Sequence, residues 1–234
     1  MATTTRACAP ALRHYLRFVA TTMGRDKLLR TAQYFSQFYA WHLYRRNHQQ
    51  SAIDPYTAAQ KQLIITRKIL RIGNFLENLQ AVAQILSKKN SSEPVLKYLA
   101  IGSQLGFGGY LVLDNITALE AIGIHKFPFS KRVPIAANRL WAVGLVCSAI
   151  TSIYILLHPQ PQRTTTHTTG EQMSDNTKRS SDRSAACMQL ISDLCDLTAP
   201  GSSLGVFKLS EGVVGMAGTM SSLVGVWNQW KKTE

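Results

Sequence analysis

Acidic residues are scarce in this chain: 13 Asp and Glu stand against 26 Lys and Arg over 234 residues, for a net charge of +13. The deficit is uneven, because residues 1–139 hold 19 basic and 6 acidic side chains while residues 140–234 hold seven of each. Such asymmetry points to an anionic partner, either nucleic acid or a lipid surface. Cysteine is also sparse. Cys8, Cys147, Cys187 and Cys195 show no paired zinc-type spacing, Cys147 sits in an apolar run, and a reduced compartment is the simpler reading. No cluster of ligand residues calls for a metal or cofactor, and His42 lies on an apolar helix side where packing accounts for it. Neither a nucleophile–base constellation nor a phosphate-binding glycine loop is present, which removes support for an enzyme. Zinc spacing, a basic zipper and an RNA-binding aromatic motif are missing too, so nucleic-acid binding has no motif to carry it. Arg6, Arg13 and Arg17 interrupt the start before an apolar signal region can develop, and no secretory signal is expected.

What is present reads as helices. Hydrophobic residues make up 45% with a mean hydropathy of -0.05, which suits a large soluble core or a few membrane segments. A first helix is expected over about 10–23, opened by Pro10 and broken by Gly24, and a second from Asp26. Asp54-Pro55 marks a third, running to about Lys89, before a turn at 90–94. Val95–Leu113 is largely apolar, and Gly102, Gly106, Gly108 and Gly109 permit close helix approach there. Leu140–Leu157 is uncharged over 18 residues, flanked by Arg139, Trp141 and Tyr154 and closed by His158-Pro159, the pattern of a transmembrane helix; a buried core helix is the alternative. Residues 159–184 are Thr/Ser/Gln-rich and read as a flexible loop, with a short amphipathic helix at 185–197. A last segment, Ser203 to Trp230, is uncharged over Gly212–Trp227.

Two stretches carry more specific information. In the third helix, Ile65, Ile69, Ile72, Leu76, Leu79 and Ala83 project along one line, widened by Phe75, Val82 and Leu86. Lys61, Arg67, Lys68 and Arg71 flank or oppose that face, where they could reach anionic headgroups while the apolar face enters the acyl boundary. The alternative is an ordinary surface helix on a soluble core. Near the C-terminus, Gly215, Gly218, Ser222 and Gly225 recur at three, four and three, forming a small-residue seam for close helix packing. Either self-association or packing against Leu140–Leu157 would use it.

Several of these blocks resemble the peroxin-11 family. They are Arg30-Thr31-Ala32-Gln33-Tyr34, Arg67-Lys68-Ile69-Leu70-Arg71-Ile72-Gly73, Leu113-Asp114-Asn115, Arg139-Leu140-Trp141 and the Gly212–Trp230 segment. They occur in family order over most of the chain, with 158–200 least matched. The resemblance implies a peroxisomal membrane protein that elongates the organelle before division, through an amphipathic helix that maps onto Gln60–Lys89. It also implies self-association and cooperation with a dynamin-related GTPase and its adaptor. Lys231-Lys232-Thr233-Glu234 lacks the Ser-Lys-Leu matrix address but matches the dilysine pattern read by coatomer; flanking lysines that anchor a span are the simpler reading.

The expected architecture is all-α: a helical membrane protein with N-terminal amphipathic helices and about two transmembrane helices in the C-terminal half. Residues 1–90 form the basic, membrane-surface region, 91–158 a membrane-associated region, 159–200 a polar loop with a short helix, and 201–234 a C-terminal membrane helix and basic tail. Both termini are placed in the cytosol. The rival function is a pore for small metabolites, since Lys97, Gln104 and Asp114 could face a polar pathway.

Overall fold

The computed structural model describes residues 2–87, 93–124, 132–158 and 169–233, and in them the chain is helical without a strand. The helices are α1 (Ala2–Ala20), α2 (Thr22–Arg45), α3 (Gln50–Leu70), α4 (Phe75–Ser87), α5 (Pro94–Ala121), α6 (Val133–Leu157), α7 (Thr169–Ser203) and α8 (Glu211–Lys232). The all-α expectation holds. The turn at 90–92, the stretch 159–168 and Glu234 fall outside the described residues.

Local chemistry explains most boundaries. Thr21 ends α1 and caps α2, accepting a bond from the Gly24 N–H at 3.0 Å, so the break lies at Thr21 and Gly24 is helical. Pro94 opens α5, where its missing N–H costs nothing, and Ser210 caps α8 through the Val213 N–H at 3.4 Å. α3 starts at Gln50, a turn before Asp54-Pro55, and carries Pro55 inside it.

Three expectations are corrected. The single long third helix is two helices, interrupted at Arg71–Asn74, where Gly73 adopts φ 86, a left-handed conformation that only glycine takes without strain. The described part of the expected loop, 169–184, is helical and runs on through the helix expected at 185–197 to form α7, a 35-residue helix from Thr169 to Ser203. The polar, Ser-rich composition of 169–184 hid that first half. Finally, only α6 among the described residues is long and apolar enough to cross a membrane, and α8, polar at Asn228 and Gln229, is not. Of the most apolar 18 residues of α6, 22% are buried, which disfavours the core-helix alternative.

The helices pack in a closed circuit. α2 lies on α3, α3 and α4 on α5, α5 on α6, α6 on α7, α7 on α8, and α8 returns to α2. Glycines set two of these contacts. On α5, Gly102, Gly106 and Gly109 face α6 so closely that a Cβ on Gly106 would lie 2.6 Å from Gly144 Cα. α1 runs on from α2, and its His14 and Phe18 rings meet Trp230 of α8 with centroids 4.0 and 5.6 Å apart.

Candidate functional site

The polarity of the circuit is inverted relative to a protein dissolved in water. Its buried residues include Asp26, Arg67, Asp114, Asp193 and Asp196, while large apolar side chains point outward all round it. On α6 the exposed set is Ile135, Leu140, Val143, Val146, Ile150, Ile153 and Leu157. An outer surface of this kind is unfavourable in water and is what a hydrocarbon environment selects.

Scarce carboxylates organise the interior. Arg67 of α3 donates to Asp26 of α2 at 2.9 Å and to Gln33 Oε1 at 2.6 Å. One turn on, Arg71 reaches Asp114 of α5 at 3.0 Å and the Tyr110 hydroxyl at 3.3 Å, and its Nε stands 3.9 Å from Asp26. Lys68 meets the other oxygen of Asp114 at 2.9 Å and donates to Thr117. On the far wall, Arg30 of α2 pairs with Asp196 of α7, which also accepts from Ser221 of α8. The network therefore ties α2 to α3, α5, α7 and α8. Burial pushes the Asp26 carboxyl up, but Arg67 and Arg71 outweigh it and hold the group below the usual carboxylate range. Desolvating these ions is costly, so each pair stands only because its partners are all in place.

Inside the circuit lies a partly open cavity of about 940 Å³, lined from α2 through α8. Its walls mix cations (Lys27, Arg30, Arg71), carboxylates (Asp114, Asp193) and amides such as Asn138. Asp193, buried on α7, accepts from Gln189 at 2.8 Å, while its Oδ2 has no partner among the described residues. Burial raises its carboxyl above the ordinary value.

The residues singled out from sequence separate into two groups. Ile69, Ile72, Leu76 and Leu79 are exposed, Leu76 by 59%, whereas Ile65 and Phe75 are half-buried. The stripe thus survives the break at Gly73, running from the end of α3 into α4. The basic residues go elsewhere. Arg67 is only 6% exposed, and Lys68 and Arg71 are turned onto Asp114, so three of the four cations expected at headgroups are instead internal; Lys61 alone is exposed. The reason is rotational: Arg67, Lys68 and Arg71 share the side of α3 that faces α2 and α5.

The small-residue seam is occupied within the chain, by α2 rather than by α6. A Cβ on Gly215 would lie 2.7 Å from the Phe38 backbone nitrogen, Gly218 sits under the Tyr34 ring, and Gly225 lies along the Lys27 side chain. Ser222 is fully buried and donates to the Gly218 carbonyl at 2.5 Å. The sequence reading passed over Asp26, Arg30 and Asp196. Their signal was the shortage of acids itself, and Asp114 inside an apolar stretch was its clearest instance.

Comparison with known proteins agrees with this picture. The chain matches the family described as peroxisomal biogenesis factor 11 over residues 12–230. It is 25% identical to peroxisomal membrane protein PMP27 of Saccharomyces cerevisiae, with 96% of each chain covered. It is 22% identical to peroxisomal biogenesis factor 11 of Schizosaccharomyces pombe, covering 94% and 95%. It is 19% identical to human peroxisomal membrane protein 11A, covering 91% and 94%. No solved structure matches the chain significantly.

Proposed function

The chain belongs to the peroxisomal biogenesis factor 11 family, and from that premise we propose that it is a peroxisomal membrane protein that elongates the organelle membrane by inserting an apolar wedge. The wedge is the exposed face Ile69, Ile72, Leu76, Leu79 and Leu86, which none of the described helices covers. Burying the exposed half of each side chain in the acyl boundary contributes about 1 kcal/mol per residue. Added volume in one leaflet expands it relative to the other and favours positive curvature.

The observation that carries the reading is the pairing of that exposed face with an interior in which Arg67, Lys68 and Arg71 are held on the chain's own carboxylates. Attachment then rests on apolar insertion, with exposed basic groups such as Lys61, and Arg13 and Arg17 of α1, free to meet headgroups. α6 supplies the span. The test is vesicle tubulation by the reconstituted full-length protein. Ile69→Glu together with Leu76→Glu abolishes tubulation at any salt, and retention of tubulation by that variant removes the wedge.

A second reading, passage of small solutes, is favoured by the polar cavity enclosed by the circuit. Its test is efflux of a small hydrophilic dye from liposomes carrying the protein, measured without change of vesicle shape.

A further inference from the structure

Lys27 is a cation with no carboxylate of its own among the described residues. It lies on α2, beside Asp26 and one turn before Arg30, and lines the central cavity. Its side chain runs along α8, where a Cβ added to Gly225 would stand 3.0 Å from Lys27 Cδ and 3.4 Å from Nζ. Among the described residues it enters no ion pair. Both neighbouring carboxylates are already engaged, Asp26 with Arg67 and Asp196 with Arg30. The buried and half-buried ions around the cavity set Lys27, Arg30, Arg67, Lys68 and Arg71 against Asp26, Asp114, Asp193 and Asp196, so one positive charge remains uncompensated.

The donors are uneven in the same way. Arg67 and Arg71 spend their N–H groups on protein acceptors. Arg30 uses one nitrogen, on Asp196, and keeps the rest of its fork. Lys27 and Arg30, spaced i and i+3, stand on one face of α2. An ammonium and an unsaturated guanidinium side by side in a low-dielectric cavity match a phosphate group, which accepts from both and supplies the missing charge.

We propose that the cavity binds a phosphate group on Lys27 and Arg30, carried either by a phosphatidic acid headgroup or by a soluble phosphate. The site is independent of whether solutes cross the membrane and of the wedge on α3–α4. The state of Lys27 gives it a signature. Burial, with Arg30 next, pushes the ammonium down to about 8, against the pull of Asp26 and Asp196 and with a smaller push from Arg67. The facing helix α8 contributes ionisable groups to the cavity only near its two ends, Glu211 and Lys232, and α7 adds Asp193. A bound phosphate raises the Lys27 pKa, so binding takes up a proton once pH exceeds the free value. Affinity then falls as pH rises beyond about 8, by up to about 25-fold between pH 7.5 and 9.5.

The experiment is calorimetric titration of the full chain in detergent micelles with inorganic phosphate and, separately, with dioctanoyl phosphatidic acid, using dioctanoyl phosphatidylcholine as the blank. Saturable binding of either phosphate compound is expected, weakened at least ten-fold by Lys27→Met and retained by Lys27→Arg without the loss at high pH. Binding of both compounds shows a site open to soluble phosphate, and binding of phosphatidic acid alone assigns it to the headgroup. Circular dichroism melting of each variant separates lost binding from lost folding, and the Arg variant answers the question if the Met variant does not fold. No binding of either compound by the native chain, or equal binding and an equal pH profile in Lys27→Arg, overturns the proposal.

Discussion

Arg67 and Asp26 lie 41 residues apart in sequence and 2.9 Å apart in space, both buried, with Gln33 completing the shell of the guanidinium. This pair fixes α3 against α2 and, with it, the rotation of α3 that turns Ile69 outward. Removing one partner strands the other charge in the interior. Asp26→Asn or Arg67→Met is therefore expected to destabilise the protein by about 3–5 kcal/mol, while a double change to apolar residues costs much less than the sum. A double-mutant cycle on thermal unfolding in detergent measures the difference.

The same pair predicts a pH response. Asp26 has a folded value below its unfolded one, so it contributes stability that is present above the unfolded value near 3.8 and lost as pH falls through the folded value. Melting temperature should show no pH dependence from this residue between pH 5 and 7. Asp26→Asn should lose its disadvantage relative to the native chain only in strong acid.

Asp193 should behave in the opposite sense. Its folded value is raised and one carboxylate oxygen lacks a partner among the described residues, so ionisation weakens the fold at neutral pH and the penalty is lost as pH falls through the folded value towards the unfolded one near 3.8. Asp193→Asn is expected to be neutral or stabilising at pH 8, and that gain should shrink as pH falls through the folded value. A clear destabilisation at pH 8 would show that the carboxylate has a partner of its own.

Gly218→Leu tests the seam. Its Cβ position is already filled by the Tyr34 ring, so the larger side chain forces α8 away from α2 at a cost of about 1–3 kcal/mol or more. The expected result is loss of an engineered α2–α8 disulfide crosslink within one chain, with membrane insertion unchanged. Undiminished crosslinking would mean that the two helices are not held by this contact.

The helical class and the apolar stripe were legible because periodicity survives translation into structure: Ile69, Leu76 and Leu79 are exposed as one face although a turn separates α3 from α4. The turn itself was hidden. Gly73 is one glycine among fifteen, and four non-helical residues displace the stripe too little to disturb its period. The destinations of Arg67, Lys68 and Arg71 were not readable from their own helix, since the deciding groups, Asp26 and Asp114, come from α2 and α5. α7 escaped notice because its Thr- and Ser-rich beginning has the composition of a loop. The small-residue seam announced close packing correctly in kind, but only the fold names α2 as the partner.

The central claim is that the exposed face of α3–α4 enters the acyl region of the membrane while the basic side of α3 stays inside the protein. The most direct measurement places single environment-sensitive fluorophores at positions 72, 76 and 79, and at 61 for comparison, in a full-length chain with its four native cysteines replaced. Quenching by lipids labelled along the acyl chain is then recorded in reconstituted vesicles. Strong acyl-chain quenching at 72, 76 and 79, with quenching at 61 confined to the headgroup level, is the predicted result. Probes at 76 and 79 that remain in water while the protein is membrane-bound would contradict it.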